Sequence, residues 1–210
     1  YFPETPMVFP VGYLDTDGST VLYSSTDQQG RVTTGVAMPG GGEDNAREVE
    51  QSFVKAVSTD PTTGRAAVMT KANDDASGCF GVVDGLATGS GNPLWETCDY
   101  SLGTFSPDGR YVLASDPYQS GAGKQSLSIL DADTGDLVSS FTQEAPRDQT
   151  PVELTQMAWE DDDSVIAVAL NEGDAAVLRL GVDGSIEEAV AAAPAVGDVT
   201  YYLGLDRTQL

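Results

Sequence analysis

The chain contains no histidine among its 210 residues. Ser-His-Asp and Cys-His nucleophilic catalysis are therefore excluded, and a zinc site would lack its usual imidazole ligands. Positive charge is almost as scarce. Ten Lys and Arg stand against 33 Asp and Glu, giving a net charge of −23, and only three of the bases are lysines. A protein without a basic face cannot release counterions from phosphates, so nucleic acid is excluded as a partner and anionic membrane surfaces are disfavoured. No run of 18 apolar residues and no signal peptide occurs, so membrane attachment would need an anchor upstream of Tyr1. Helix signals are also nearly missing. The best window, Ala46 to Val57, is short and interrupted by Ser and Val. Cysteine is limited to Cys79 and Cys98, in no C-x-x-C pattern.

What the chain does have is a recurring phrase: a short apolar strand, an Asp/Gly turn, a second apolar strand and a second Gly turn. The copies read VGYLDTDGSTVLYSS from Val11, FVKAVSTDPTTGRAAVMT from Phe53, LGTFSPDGRYVLAS from Leu102 and QMAWEDDDSVIAVAL from Gln156. The last bulky residue before the first turn, Leu14, Val57, Phe105 or Trp159, recurs roughly every 40 to 55 residues, and Leu205 continues the series. Self-similarity at that period marks a repeat architecture. Each unit resolves into four short strands, because its apolar runs are rich in Val, Leu, Tyr and Thr and bounded by Gly, Asp, Pro and Ser. In the third unit these are Leu102–Phe105, Tyr111–Ala114, Ser126–Leu130 and Leu137–Phe141. Ile186–Ala193, although Ala-rich, occupies the outer-strand slot of the fourth.

Four antiparallel strands per unit is the content of a propeller blade, a small sheet that buries its faces only against neighbouring blades. The expected fold is therefore all-β: a β-propeller of four-stranded antiparallel blades, about four of them plus a partial fifth. One domain spans 1–210, with blades at about 9–48, 49–92, 93–150 and 151–193, and with 194–210 as the first strand of a further or shared blade. At FSPDGRYVLAS and SLSILDADTGDLV the sequence resembles the WD40-like families of bacteria, including the TolB-type and YVTN-type repeats. The resemblance runs from about Val11 to Ala193 and implies a fold, not a chemistry. The WD dipeptide and the Gly-His element of true WD40 blades are both missing.

Four blades and one strand allow two arrangements. Either Tyr1–Val8 and Asp198–Leu205 complete a small ring, or the chain is a portion of a larger propeller, and the second is preferred. A partial propeller would have to cover its open blade faces, which self-association could do. Cys79 falls in the third strand of the second unit and Cys98 near its fourth, so adjacent strands would set them side by side. A Cys79–Cys98 disulfide is expected, and with it an extracellular or cell-surface location; the alternative is a pair of buried thiols in a cytosolic protein.

Several residue groups invite a functional reading. Immediately after its second strand each unit places acids: Asp27, then Asp74 and Asp75, then Asp116, then Glu172 with Asp174. Equivalent loops gather on one face of a propeller, so these acids should ring one mouth together with Arg31, Lys71, Tyr118 and Lys124, attracting cations or basic peptides. The plainer reading is that polar residues follow strands into solvent. Asp15 and Asp17 open like a calcium loop, but Thr20 and Thr26 stand where an EF-hand needs Gly and Glu. Asp131 and Asp133 form a second acidic turn. Asx hydrogen bonds and left-handed turn positions account for both, so no cofactor is required, and calcium is the one ion these turns would suit. The MPGGGED stretch from Met38 lacks the Lys and spacing of a phosphate loop and reads as a turn between blades. Trp159 belongs to the core between blades, while Trp95 is placed over the expected disulfide.

Two function classes remain. One is a non-catalytic extracytoplasmic binding, sensor or scaffold propeller that recognises a protein, peptide or small ligand. The other is a secreted glycosidase- or lyase-type enzyme using two carboxylates across a cleft.

Overall fold

A computed structural model of the chain describes residues 7–40, 45–49, 53–73, 77–88, 91–117, 124–142, 152–194, 201 and 203. Among these residues, sixteen strands form four separate four-stranded antiparallel sheets, each built from strands consecutive in sequence. The first blade holds β1 (Met7–Tyr13), β2 (Val21–Thr26), β3 (Val32–Ala37) and β4 (Ala46–Glu48). The second holds β5 (Lys55–Asp60), β6 (Arg65–Ala72), β7 (Gly78–Asp84) and β8 (Asn92–Thr97). The third holds β9 (Ser101–Phe105), β10 (Tyr111–Ser115), β11 (Ser126–Asp131) and β12 (Leu137–Thr142). The fourth holds β13 (Glu153–Trp159), β14 (Ser164–Asn171), β15 (Asp174–Gly181) and β16 (Ile186–Pro194).

The repeat is thus a repeat of meanders, with the first turn of each phrase joining the first two strands of a blade. Gly18, Gly64 and Gly109 adopt φ of 70°, 76° and 75° in three of these turns, a left-handed backbone that costs any residue with a Cβ. The second blade differs from expectation in one respect. Its fourth strand begins at Asn92 and runs to Thr97, past the boundary expected at 92, because Asn-Pro reads as a turn. Pro93 is nevertheless tolerated: β8 is the outermost strand of its sheet, where a missing N–H costs no ladder bond on the open side.

Strand alternation builds three apolar seams between successive blades. On β6, Ala66 and Val68 face the first blade with Leu14, Leu22 and Val36, whereas Ala67 faces the third. On β10, Val112 and Ala114 join that second seam, while Leu113 turns to the fourth blade with Leu127, Ile129, Trp159 and Val165. Leu22, Leu127, Ile129, Leu130 and Leu180 are among the largest side chains with no meaningful exposure, each contributing about 1.5 to 3 kcal/mol by burial. Every blade is therefore held by side chains of both neighbours where it has them.

The first strands of the blades stand beside one another. Ser58 Oγ on β5 donates to Gly103 O on β9 at 2.6 Å, and Trp159 Nε1 on β13 donates to Thr104 O on β9 at 3.1 Å. Gly12 on β1 passes so close to β5 that a Cβ there would lie 2.0 Å from Thr59 Oγ1. After the fourth blade, Gln156 on β13 continues the pattern: its Nε2 donates to Tyr201 O at 3.3 Å and its Oε1 accepts from Leu203 N at 3.0 Å. The backbone at 201 and 203 is thereby fixed beside β13, in the place where a next first strand would lie. Leu205 falls outside the described residues.

Polar groups tie the seams at the end of the blades where the first turns lie. Asp60, fully buried, accepts from Thr62 N at 2.9 Å, from Thr63 Oγ1 and from Arg65 Nη2 at 3.2 Å. Arg65 then crosses to the third blade, donating to Asp133 Oδ1 and Gly109 O, with its guanidinium carbon 6.0 Å from the Phe105 ring centre. Arg110, just before β10, repeats the device one blade later by reaching Asp163 on the fourth blade at 3.2 Å.

Candidate functional site

Cys79 and Cys98 are disulfide-bonded, with Cα atoms 4.1 Å apart across β7 and β8. The register explains the pairing, since Phe80 and Thr97, their immediate neighbours, are cross-strand partners. Trp95 does not cover the bond. Its indole packs into the seam between the second and third blades, lies against Gly135 and donates from Nε1 to Ala132 O at 2.9 Å. Alternation along β8 gives the reason: Trp95 and Cys98 are an odd number of residues apart, so they leave the strand on opposite faces.

The acids expected at one mouth occupy equivalent places in the topology. Asp27 follows β2, Asp116 follows β10, and Glu172 with Asp174 spans the β14–β15 hairpin. Asp74, Asp75 and Tyr118 lie outside the described residues. Asp27 is engaged locally: its carboxylate accepts from Gln29 N and Arg31 N at 2.9 and 2.8 Å and pairs with Arg31 Nε at 3.1 Å. Glu172 takes φ of 49° before Gly173 at 94°, the two left-handed positions of a tight hairpin. Lys71 is exposed at the end of β6, whereas Lys124 turns inward. Its Nζ donates to Ser115 Oγ, which is 2.8 Å from Ser101 Oγ, and its backbone bridges to Leu154 on the fourth blade. Burial lowers the Lys124 ammonium from its ordinary value, against an opposing pull from Asp116.

The acidic turns proposed for calcium are occupied by their own backbones. Asp15 accepts from Thr20 N and Ser19 Oγ, and Asp17 from Ser19 N. Asp131 Oδ1 accepts from Asp133 N and Thr134 N at 2.9 Å each, while Asp133 pairs with Arg65. Among the described residues, neither turn brings three ligand atoms within 4.8 Å of one another.

These hydrogen bonds set the acid response. Burial pushes Asp15 up, but bonds from Thr20, Ser19 and Asp17 outweigh it and hold the carboxyl at about 2. Asp27 is lowered by the Arg31 amide above all, and Glu160 by the Arg179 guanidinium. Each of these carboxyls has a lower pKa folded than unfolded, so acid protonates the unfolded chain first. The stability they contribute is complete above about pH 5 and is lost progressively as pH falls toward 2. With no histidine to titrate, the unfolding temperature is expected to stay level between pH 5 and 7 and to fall between pH 4 and 2. A rise on acidification, measured by calorimetry, would instead mean that relief of the −23 repulsion dominates.

The described surface contains a concave site that the sequence did not mark. A cavity of about 370 Å³ opens where the first strands of three blades end. Val11, Gly12 and Tyr13 line it from the first blade, Ser58, Thr59 and Pro61 from the second, and Phe105, Ser106 and Pro107 from the third. Its size falls in the range of small-ligand pockets. Among the described residues, no Asp, Glu, Lys or Arg lines it, a marked contrast with the chain as a whole. Thr59 and Pro61 face the cavity while Asp60 between them turns into the buried ion pair, so the network with Arg65 also fixes the cavity wall. The sequence signal was present but weak: neutral residues at the end of each first strand look like ordinary strand ends.

No protein-family model matches the chain, and no curated protein matches it. Solved structures do. The β-propeller domain of the Trilobed protease from Pyrococcus furiosus, with open velcro topology, matches at 16% identity and a TM-score of 0.59, over 93% of this chain and 61% of that one. A putative TolB from Agrobacterium tumefaciens matches at 14% identity and 0.53, over 83% and 62%. An acylaminoacyl peptidase from Pyrococcus horikoshii matches at 15% identity and 0.59, over 91% of this chain but 34% of that one. The chain spans about three fifths of the length of the first two. At these identities the likeness is one of fold, and the fold is a β-propeller.

Proposed function

We propose that this chain is a non-catalytic binding propeller whose ligand seats in the cavity at the ends of β1, β5 and β9. The observation that carries the reading is the convergence of three blades on one uncharged, part-apolar cavity in a strongly acidic chain. Tyr13 and Phe105 offer aromatic faces, and the Thr59 and Ser106 hydroxyls offer polar contacts, which together suit a small neutral ligand or an uncharged stretch of peptide. The disulfide supports an extracytoplasmic setting for this module. A carboxylate-pair hydrolase needs two acids flanking its cleft, and the described residues of the cavity lining supply none.

The test is a thermal-shift screen with neutral disaccharides and uncharged di- and tripeptides, followed by Thr59→Trp, which fills the cavity from one wall. A ligand present at 100 times its dissociation constant should stabilise the native protein by about 2.7 kcal/mol. That shift should vanish in T59W, read against the unfolding temperature of unliganded T59W. A shift that survives T59W would move the binding site elsewhere.

A further inference from the structure

The structure assigns a second binding site to the cleft between the third and fourth blades: a pocket for an amine with a compact apolar body, such as an arylalkylamine, whose ring enters the cleft and whose ammonium meets the Glu188 carboxylate. This goes beyond the binding function proposed above and uses none of the residues of that cavity. The cleft encloses about 220 Å³. Its walls are Phe141 from β12, Leu154 from β13, Leu178 and Leu180 from β15 and Ile186 from β16, so it deepens into the third apolar seam, where Phe141, Leu154 and Leu180 are buried. An apolar cavity of about 150 Å³ walled by Leu, Ile and Phe holds a benzene ring, so a single ring fits here. Gln125 and Thr142 supply the polar atoms, and among the described residues no charged side chain lines the cleft. Ile186 at its edge is 62% exposed, the most exposed large hydrophobic among the described residues. A ring seated against it would withdraw that apolar surface from water.

Strand register decides the charge of the ligand. Leu178 and Leu180 are two apart on β15, and their cross-strand partners on β16 are Glu188 and Ile186. Residues directly opposite one another share a face of an antiparallel sheet, so Glu188 leaves β16 on the side of the cleft, next to Leu178. Glu188 is exposed, and its Oε1 accepts from Ala192 N at 2.7 Å. Among the described residues, Oε2 has no hydrogen-bond or ion-pair partner. Arg179, the one base on β15, lies between Leu178 and Leu180 and so points to the other face, where Glu160 and Glu187 hold it. It does not compete for Glu188. An ammonium is therefore drawn to the rim, whereas a carboxylate ligand is repelled there and by the chain's net charge of −23.

The experiment titrates methyl-labelled protein with phenethylamine, phenethyl alcohol and phenylacetate, following the methyl signals by NMR. Phenethylamine should shift the Leu178, Leu180 and Ile186 methyls saturably and bind about fivefold more tightly than the alcohol, with phenylacetate weakest. Glu188→Gln should bring the amine down to the affinity of the alcohol, and Ile186→Ser should weaken amine and alcohol alike by about fivefold. Both positions are exposed, so both variants should fold. Thr59→Trp should leave the titration unchanged, which separates this site from the cavity at β1, β5 and β9. An E188Q protein that binds the amine as tightly as wild type, or an alcohol equal to the amine, overturns the assignment. So does binding that T59W abolishes, and so does a failure of all three ligands to move these methyls, as when another stretch of chain lies over the cleft.

Discussion

Replacing Asp60 with alanine is expected to lower the unfolding free energy by about 3 to 5 kcal/mol, measured by urea denaturation. Asp60 has no exposure, and its partner Arg65 is almost as buried. Removing the carboxylate would leave a guanidinium inside the seam with Asp133, at the surface, as its remaining counter-charge. It would also orphan the Thr62 amide and the Thr63 hydroxyl that Asp60 accepts from. The size of the effect comes from this uncompensated charge and not from the intrinsic worth of the pair. Adding Arg65→Met to D60A should therefore recover much of the loss, because an apolar replacement removes the stranded charge. A D60A protein within about 1 kcal/mol of wild type would show that Arg65 can swing out to water.

Reducing the Cys79–Cys98 bond, or replacing both cysteines with serine, should cost about 2 to 4 kcal/mol. The cross-link spans a separation of 19 residues and restrains the unfolded chain accordingly. For a domain of this size such a loss lowers the unfolding temperature by roughly 5 to 15 °C. The effect should reach beyond the strand pair, because β8 also carries Trp95, whose indole clasps Ala132 O on the third blade. Tryptophan fluorescence should shift to the red on reduction even below the unfolding transition. An unfolding temperature identical with and without reductant would mean that the blade seams alone hold β8 in place.

Much of this architecture could be read in the sequence, because a blade is a local object. Tyr111–Ser115 and Leu137–Thr142 lie within a residue of where strand and turn chemistry put them, and Cys79 meets Cys98 because their strands are adjacent. What could not be read are contacts between blades, whose partners lie far apart in sequence. Asp60 looks like a turn acid, and only the third blade's Gly109 and Asp133 reveal it as half of a buried clasp. Trp95 looked like a lid because its face of β8 depends on where that strand starts. Neutral strand ends such as Thr59 and Ser106 carry no charge signal, so a cavity formed by three of them is invisible until the blades are set side by side.

The neighbour-only seams have a further consequence for how the molecule comes apart. Among the described residues, the second and third blades have an apolar seam on both faces, while the first blade has one. The chain then behaves as a short one-dimensional array, in which opening an end forfeits one interface and opening the middle forfeits two. Fraying should begin at the ends and move inward, so that the amides of β6 and β10 exchange last. Val8 and Phe9, 58% and 52% exposed on β1, already stand at the end where that loss of cooperativity would start.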